Sequence, residues 1–240
     1  MSQPGALLSD QDTAVGFKGP RSRDYVEVRD PASEAFSQPT SGLGLTVEVW
    51  MRPDILTFRG ETSERYIHWL GKCGRGQCEW GLRFYSQDSP SRPNRISAYI
   101  WNPEGKEGAG AHFEDTLTPG EWMHVVAVYE PGDQDTEPPA GVHIYRDGVH
   151  RLGPGDSPGT LYRGFGIVPV HGTMPVRFGT RDAAKSGIAA PSYLTGGLDE
   201  VAIYPRVLTP DEILENYLAG RGQVATDRQD RPCGREDGAS

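Results

Sequence analysis

The sequence lacks several features that would place it in common functional classes. No apolar run approaches the ~18 residues of a membrane span, and the first residues, MSQPGALLSDQD, carry neither a basic segment nor an apolar signal core. We therefore expect no membrane insertion. Basic residues are outnumbered, with 24 Lys and Arg against 33 Asp and Glu and a formal net charge of −9 at pH 7. The negative electrostatic field of such a chain repels phosphate backbones, so nucleic acid is not an expected partner.

Motifs that carry chemistry are also missing. No second cysteine pair or nearby histidine pair completes four zinc ligands. The segment GAGAH near Gly108 lies in a predicted loop with no helix after it, so no nucleotide site is expected. A glycoside hydrolase of sandwich type needs carboxylates at a spacing such as E-x-D-x-E, which does not occur. The adjacent Asp199 and Glu200 would face opposite sides of a strand.

Cysteine is scarce, and its positions matter more than its number. The three cysteines are Cys73, Cys78 and Cys233. Cys73 and Cys78 bracket the turn-like segment GRGQ between two apolar runs, so they can face each other across a hairpin. A disulfide and two reduced thiols both fit this pattern. Cys233 has no evident partner in its polar surroundings, and pairing outside the domain is open to it.

Glycine and proline, in contrast, are abundant. The 31 Gly and 20 Pro residues fall between short β-type runs, as a fold with many turns requires. This pattern predicts a strand-rich sandwich formed by one domain. We expect an irregular lead-in at residues 1–13, the sandwich at residues 14–220 and a polar tail at residues 221–240, which is low in aromatic residues.

The segment GGLDEVAIYPRVLTPDEILENYL, from Gly196 to Leu218, predicts a strand followed by a helix. Its first half places Asp199 and Glu200 among apolar residues, which favours a half-buried strand. Its second half places Thr209 and Glu212 at the spacing of a capping box, with a proline in the first turn. Apolar residues then recur at helical spacing.

This ending resembles the closing segment of laminin G-like domains of the concanavalin A-like lectin/glucanase superfamily, where a G-x-[IL]-D-E-V-x-I-Y strand precedes an R-x-L-[ST]-x-x-E-I helix. Four earlier blocks resemble other strands of that family, and they occur in the family's order. They are DTAVGFKGPRSRDYVEVRD at 12–30, GLTVEVWMRPD at 44–54, GEWMHVVAVYE at 120–130 and VHIYRDGVHRL at 142–152.

The resemblance implies an all-β, antiparallel two-sheet jelly-roll sandwich, concanavalin A-like, with one short C-terminal helix. We expect its inner faces to carry Val47, Val49, Leu82, Phe84, Ile96, Ile100, Val125, Ile144, Phe178, Val201 and Ile203. The implied function is a non-catalytic recognition module that binds a glycan or an extracellular protein ligand. The implied location is extracellular or at the cell surface, beside neighbouring domains of a larger chain. A structural or adhesive spacer is an alternative.

The resemblance also implies a metal site. In many relatives the aspartate at the position of Asp199 faces a calcium ion shared with carbonyl groups near the first strands. Calcium suits flexible carboxylate and carbonyl oxygens, and Asp24 is a second candidate ligand. The alternative is that Asp199 caps a turn or pairs with an arginine.

Two central strands predict a ligand-binding face. Alternation places Arg83 and Tyr85 on one side of their strand, and Arg95, Tyr99 and Trp101 on one side of the next. If these strands are neighbours, the five residues form an exposed aromatic and cationic patch. Aromatic rings stack on sugar C–H faces, and arginine binds hydroxyls and carboxylates. The alternative is that a long loop or a neighbouring domain covers Tyr85, Tyr99 and Trp101.

A carbohydrate-active enzyme on the same fold, a polysaccharide lyase or a glycoside hydrolase, is the remaining alternative. His68 would share a face with Tyr66 and lie near Arg83 or Tyr99, a set of residue types that lyases use. The lyase signatures of the superfamily are missing from these strands, and a lone histidine on a strand is usually packed or hydrogen-bonded. We therefore expect no catalytic residues.

Overall fold

The computed structural model describes residues 2–8, 12–29, 35–37, 43–74, 77–101, 108–130, 141–151, 171–181 and 192–223. These residues form thirteen strands, a short 3-10 turn and one α-helix. The strands are β1 (Ser2–Pro4), β2 (Thr13–Lys18), β3 (Val26–Val28), β4 (Leu45–Pro53), β5 (Tyr66–Lys72), β6 (Trp80–Tyr85), β7 (Ile96–Trp101), β8 (Gly108–Phe113), β9 (Met123–Glu130), β10 (Gly141–Arg146), β11 (Val149–Arg151), β12 (Val176–Phe178) and β13 (Thr195–Tyr204), and the helix is α1 (Pro210–Gly220). Within this part of the chain, no helix has the length and hydropathy to cross a bilayer.

The strands pair into two antiparallel sheets. The seven-stranded sheet has the order β1-β2-β13-β4-β9-β10-β11, and the six-stranded sheet has the order β3-β12-β5-β6-β7-β8. Five of the eleven pairings join strands that are distant in sequence, such as β2 with β13 and β4 with β9, as in a jelly roll. The two-sheet sandwich predicted from the sequence is confirmed.

The core lies between the two sheets and follows from alternation along most of the strands. Val47 and Val49 of β4 and Leu82 of β6 are fully buried, because every second side chain of a strand faces the opposing sheet. Eight of the eleven residues predicted for the inner faces are buried there, and Phe178, Val201 and Ile203 are partly buried against the same core.

Helix α1 packs on the outer face of the seven-stranded sheet through Ile213, which is fully buried. Its start is the predicted capping box: the Thr209 side chain accepts from the Glu212 N–H at 3.2 Å, and Glu212 accepts from the Thr209 N–H at 2.8 Å. Arg206 donates to both oxygens of Glu212, and with the Thr209 bonds it lowers the pKa of Glu212 to about 2. Such caps satisfy backbone donors that the first turn leaves open.

Two segments differ from the prediction. Residues 1–13 were predicted to be irregular, yet β1 pairs with β2, with Gln3 opposite Ala14; three residues are too few to show alternation.

The segment at Gly108 was predicted to be a loop, yet it forms β8. Its glycine content hides the strand pattern, but a Cβ on Gly110 would lie 2.8 Å from the Tyr99 ring. Glycine is therefore required where β8 passes that ring.

The hairpin formed by β5 and β6 is tied together at its turn. Cys73 and Cys78 are joined by a disulfide with a Cα–Cα distance of 3.9 Å. The residues just outside the ring, Lys72 and Glu79, form a buried ion pair. The Lys72 Nζ also donates to the Ser37 Oγ at 2.9 Å and to the Gly172 carbonyl at 2.6 Å. Burial raises the pKa of Glu79, although the Lys72 charge opposes that rise.

Candidate functional site

A continuous set of aromatic and basic side chains covers the outer face of β5, β6 and β7. The ladder register places Tyr66 opposite Tyr85, His68 opposite Arg83, and Gly81 opposite Tyr99. Directly opposed residues of antiparallel strands point to the same side, so these side chains share one face. We call this surface the aromatic–arginine face and define it by Tyr66, His68, Arg83, Tyr85, Tyr99 and Trp101.

Arg83 is the centre of this face. Its guanidinium carbon lies 4.4 Å from the centroid of the Tyr99 ring, 4.5 Å from that of Tyr66 and 5.2 Å from that of Trp101. The Tyr99 and Trp101 rings stack on each other with centroids 5.2 Å apart. Each guanidinium–ring distance is within the ~6 Å range of a cation–π interaction. The cation is therefore held in place by three rings.

A hydrogen-bond relay fixes the other side of Arg83. Its Nε donates to the His68 Nε2 at 2.9 Å, and the His68 Nδ1 lies 3.2 Å from the Glu61 Oε1. The Arg181 Nε donates to the second Glu61 oxygen at 2.6 Å. Because arginine is only a donor, the His68 Nε2 accepts, which assigns the proton of a neutral imidazole to Nδ1. The relay thus links Arg181, Glu61, His68 and Arg83.

The electrostatics agree with this tautomer. Burial and the charge of Arg83 lower the pKa of His68 to about 4. Burial opposes ionisation of Glu61, but its hydrogen bond and charge interactions with His68 and Arg181 outweigh burial and lower the pKa of Glu61. The relay therefore contains a neutral histidine and an ionised carboxylate at neutral pH.

This pKa shift predicts a loss of stability in mild acid. The unfolded chain protonates His68 near its ordinary pKa of 6.5, whereas the folded chain does so only near 4. The unfolded state therefore binds more protons between these values, and about 3 kcal/mol of stability, present above pH 6.5, should be lost as the pH falls toward 4. Urea unfolding at several pH values measures this loss of stability. The free energy of unfolding of His68→Gln should depend less steeply on pH. Equal slopes for the variant and the unaltered protein would contradict a low pKa of His68.

Two tyrosines form the second part of the face. The Tyr85 and Tyr99 hydroxyl oxygens lie 3.2 Å apart, and the Arg92 Nη1 donates to the Tyr85 hydroxyl at 3.1 Å. Burial raises the pKa of Tyr99 to about 12. Burial also opposes ionisation of Tyr85, but the Arg83 charge and the donors Tyr99 and Arg92 prevail and lower its pKa.

The face is only partly open to solvent. The side chains of Tyr85 and Tyr99 are buried, with exposures of 0% and 2%. The prediction that both lie exposed is therefore wrong, because the packing around them covers both rings. Tyr66, Arg83 and Trp101 are only half-buried. Arg95 lies at the margin, where its Nε donates to the Glu114 carboxylate at 2.6 Å and its guanidinium is 6.0 Å from the Tyr85 ring centroid.

This geometry suits binding better than catalysis. A general acid or base must reach the reacting proton directly or through one water. His68 is 2% exposed, and both of its ring nitrogens are engaged by Glu61 and Arg83. Tyr85 is fully buried with its hydroxyl bonded to Tyr99 and Arg92. The groups with acid–base capacity are thus structural supports of the half-buried Arg83.

The two predicted calcium ligands lie apart and bind backbone groups. The Asp199 Oδ2 accepts from the Ala6 N–H at 2.7 Å, and the Asp24 Oδ2 accepts from the Lys18 N–H at 3.2 Å. The register places Lys18 opposite Thr195, four residues from Asp199, which is ~13 Å along the strand. Among the described residues, no three His, Cys, Asp or Glu residues come together as metal ligands. Calcium at Asp199 with backbone carbonyls of the first strands, and Asp24 as a second candidate ligand, stays a prediction.

Three supports of the face were not identified from the sequence. Glu61, Arg92 and Arg181 lie outside the strands, in connections between them. Alternation assigns faces only within a strand, so no periodic signal marks these residues. A buried charge requires partners, and this rule predicts a relay around Glu61 only once its burial is known.

Comparison with known proteins places the sandwich in a family. A laminin G model, described as the concanavalin A-like lectin/glucanases superfamily, matches residues 20–214. The resemblance predicted from the sequence blocks is thereby confirmed. No curated protein sequence matches this chain.

Several solved structures share the fold. The binding domain of botulinum neurotoxin serotype C1 aligns with a TM-score of 0.60 and 10% identity over 92% of this chain and 46% of that chain. The binding domain of botulinum neurotoxin DC in complex with SialylT gives 0.58 and 11%, over 92% of this chain and 45% of that one. The native heptameric SAP-like pentraxin from Limulus polyphemus gives 0.53 and 14%, over 85% and 81%. The chain thus spans less than half of the toxin domains, and identities this low show the fold alone.

Proposed function

This chain belongs to the concanavalin A-like lectin/glucanase superfamily, and from that premise we propose that it is a non-catalytic recognition module that binds a glycan through the aromatic–arginine face. The observation that carries the proposal is the position of Arg83, held between three rings and anchored by His68. A ligand meets a guanidinium that is already oriented, so little conformational entropy is lost on binding.

The chemistry of the face favours a glycan with acidic groups. Trp101 and Tyr66 offer ring surfaces for the C–H faces of sugars. The Nε–H of Arg83 is engaged by His68, and its guanidinium also bonds the Tyr85 side chain, so a ligand is recognised through the remaining donors of the terminal nitrogens, which suit the oxygens of a carboxylate or sulfate. Arg92 adds a second positive charge beside Tyr85.

The overall charge restricts where an acidic glycan can bind. The chain carries a net charge of −9, so an acidic glycan is repelled by most of the surface. Arg83 and Arg92 nevertheless lie together at this face, and the buried Arg181 behind it is balanced by Glu61. Local attraction against a repulsive background makes binding selective for this face and sensitive to ionic strength.

The fold neighbours are compatible with a binding role. One toxin domain is in complex with SialylT, and another botulinum neurotoxin, type C, relies on interaction with two ganglioside molecules. A further domain is in complex with rat synaptotagmin II, so a protein ligand is the alternative on this fold. The disulfide between Cys73 and Cys78 favours an extracellular or surface location, where such bonds persist.

Calorimetric titration with a galacturonate hexasaccharide and with neutral maltohexaose tests the proposal. We expect binding of the acidic oligosaccharide that weakens as the salt concentration is raised, and no binding of the neutral oligosaccharide.

Each titration is run with calcium and with a chelator, because a calcium requirement would support a metal at Asp199. No binding in any arm would favour a structural spacer, whereas shortened or unsaturated products would favour an enzyme.

A further inference from the structure

The outer face of the seven-stranded sheet carries a cleft beside helix α1. The cleft has a volume of about 280 Å³ and lies between α1, β13, β4 and the segment after β1. Its lining includes Leu7, Glu48, Trp50, Ala202, Tyr204 and Asn216. Glu48 of β4 is directly opposite Ala202 of β13, so both side chains point to the same side of the sheet. The volume is close to the lower end of the range for small-molecule sites.

The charged residues of this lining are acidic. Glu48 and Glu200 contribute to it, and in the described part of the chain no Lys, Arg or His lines the cleft. The carboxyl end of α1 forms part of the same wall through Ala219 and Gly220, and the last turn of this helix holds no basic residue. Such a helix end carries a partial negative charge. The cleft therefore favours a cation.

The carboxylate of Glu48 lies at the wall of the cleft. Its Oε2 accepts from the Tyr204 hydroxyl at 2.9 Å and from the Asn216 Nδ2 at 3.0 Å. Both donors also line the cleft, so this oxygen lies where they meet. The Glu48 Oε1 is 2.7 Å from the His124 Nε2, and the Glu48 side chain is 7% exposed. The carboxylate is thus largely withdrawn from water.

The hydrogen bonds of His124 assign its proton. The His124 Nδ1 is buried and has no hydrogen-bond partner, so a proton there would be a buried donor without an acceptor. The neutral imidazole with its proton on Nε2, which donates to Glu48, avoids this. The three described donors to Glu48 are then uncharged. A largely buried carboxylate with uncharged partners is stabilised by a cation.

Acceptor sites remain for a ligand that carries N–H donors. A carboxylate has about four acceptor sites, and one of those on the Glu48 Oε1 is left over. Asn216 contacts Glu48 through Nδ2, which leaves its Oδ1 as an acceptor. The Tyr204 hydroxyl donates to Glu48, so its oxygen can also accept, and burial and the Glu48 charge raise the pKa of Tyr204 to about 12. Three acceptors match the three N–H donors of a primary ammonium group.

The wall of the cleft around Trp50 is preformed. The Trp50 ring stacks on Tyr217 with centroids 5.9 Å apart and lies 5.2 Å from the His124 ring. Gly220 brings the end of α1 against this ring, because a Cβ at Gly220 would lie 2.6 Å from the Trp50 Cζ2 and 3.0 Å from the Leu7 Cδ2. A wall held by such contacts loses little conformational entropy when a ligand binds.

We propose that the cleft between α1 and the seven-stranded sheet binds a primary ammonium group on a short aliphatic stem, with Glu48 as its counter-ion. The ammonium group donates to oxygens of Glu48, Asn216 and Tyr204, and the stem packs on Leu7 and Ala202. A lysine side chain of a partner protein and a free polyamine share this chemistry. The site lies on the other sheet from the aromatic–arginine face and is independent of glycan binding.

Titration of the intact chain with n-pentylammonium tests the proposal, and n-pentanol is the uncharged control of the same length. In protein labelled with 19F-tryptophan, the Trp50 signal, assigned with Trp50→Phe, reports on the cleft. The Trp101 signal reports on the aromatic–arginine face. We expect a saturable shift of Trp50 with a dissociation constant of about 1 mM or a few times that value. Binding of n-pentanol should be at least tenfold weaker, and Trp101 should not move.

A matched pair of variants locates the site. Ala202→Leu fills the cleft, whereas Ala202→Ser keeps it open. Only Ala202→Leu should weaken n-pentylammonium binding tenfold or more, and both variants should melt like the unaltered protein. Glu48→Gln removes the counter-ion and should also weaken binding at least tenfold. If Glu48→Gln is unfolded, the two variants of Ala202 decide alone.

Two larger probes distinguish the sources of the ammonium group. Nα-acetyl-lysine methylamide represents a lysine side chain of a partner protein, and spermidine represents a free polyamine. Both should shift the Trp50 signal, and the probe that binds more tightly identifies the source. Either order supports the site.

Four results would overturn the proposal. One is no saturable shift of Trp50 up to about 10 mM n-pentylammonium, which is weaker than specific recognition of a charged group. Another is equal binding of n-pentanol, because the cleft would then be merely apolar. The third is unchanged binding by Ala202→Leu. The fourth is displacement of n-pentylammonium by an equal concentration of calcium chloride, because Glu48 would then bind a metal ion.

Discussion

Replacement of Arg83 by alanine should weaken binding of the galacturonate hexasaccharide by about 10- to 100-fold. Hydrogen bonds to charged groups contribute about 1.5–3 kcal/mol each, and 1.4 kcal/mol corresponds to a factor of ten. The loss should be large because Arg83 supplies the charge at the centre of the face, between Tyr66, Tyr99 and Trp101. Calorimetric titration measures it directly.

A second arginine on the other sheet provides the control. Arg52 lies 5.0 Å from the Trp122 ring centroid, so it makes the same kind of contact as Arg83. Arg52→Ala should leave binding unchanged. Arg83→Lys, which keeps the charge but not the planar pair of donors, should recover only part of the affinity. Equal losses for Arg83→Ala and Arg52→Ala would show that general charge, not this face, attracts the ligand.

Replacement of Lys72 by methionine should give the largest loss of stability, about 3–5 kcal/mol in urea unfolding. Lys72 is fully buried and its ammonium group contacts Glu79, Ser37 and the Gly172 carbonyl. Without it, the Glu79 carboxylate is left buried without its cation, and its desolvation is not compensated.

The combined change tests this cause. Lys72→Met with Glu79→Gln removes both charges and should recover most of the loss. The exposed pair between Arg65 and Asp88 is the control, because both side chains are 44% exposed and such pairs contribute about 0–1 kcal/mol. If Lys72→Met lowers the free energy of unfolding by no more than Arg65→Met does, the buried ion pair does not stabilise this end of the hairpin as described.

The fold was predictable because its core follows local alternation. Val47 and Val49 on β4, for example, are separated by the polar Glu48 and both are fully buried. β13 shows where this rule fails. Leu198 and Val201 both contact the core although they are three residues apart, because a bulge between Asp199 and Ala202 adds a residue to the strand. Glu200 adopts a φ of +47° there, which alternation does not reveal.

The binding face was predictable only in part, because alternation assigns side chains to faces only within a strand. Arg83 and Tyr99 were assigned to one face by the period of their strands, and the structure brings them within 4.4 Å. The ion pair of Glu61 depends instead on Arg181, 120 positions away, and the Tyr85 hydroxyl contacts Tyr99 of the neighbouring strand. The residue pattern of a single strand does not specify those contacts, so the relay behind Arg83 could be identified only from the folded structure.

The most direct test of glycan recognition follows the indole groups during titration with the galacturonate hexasaccharide. The chain has 5 tryptophans, and 19F-labelled tryptophan gives one signal for each, assigned with Trp101→Phe and Trp122→Phe. Trp101 stacks on Tyr99 within the proposed site, whereas Trp122 lies beside Arg52 on the other sheet. We predict that the Trp101 signal shifts saturably while the Trp122 signal stays in place. A saturable shift of Trp122 with an unmoved Trp101 signal would contradict the proposed face.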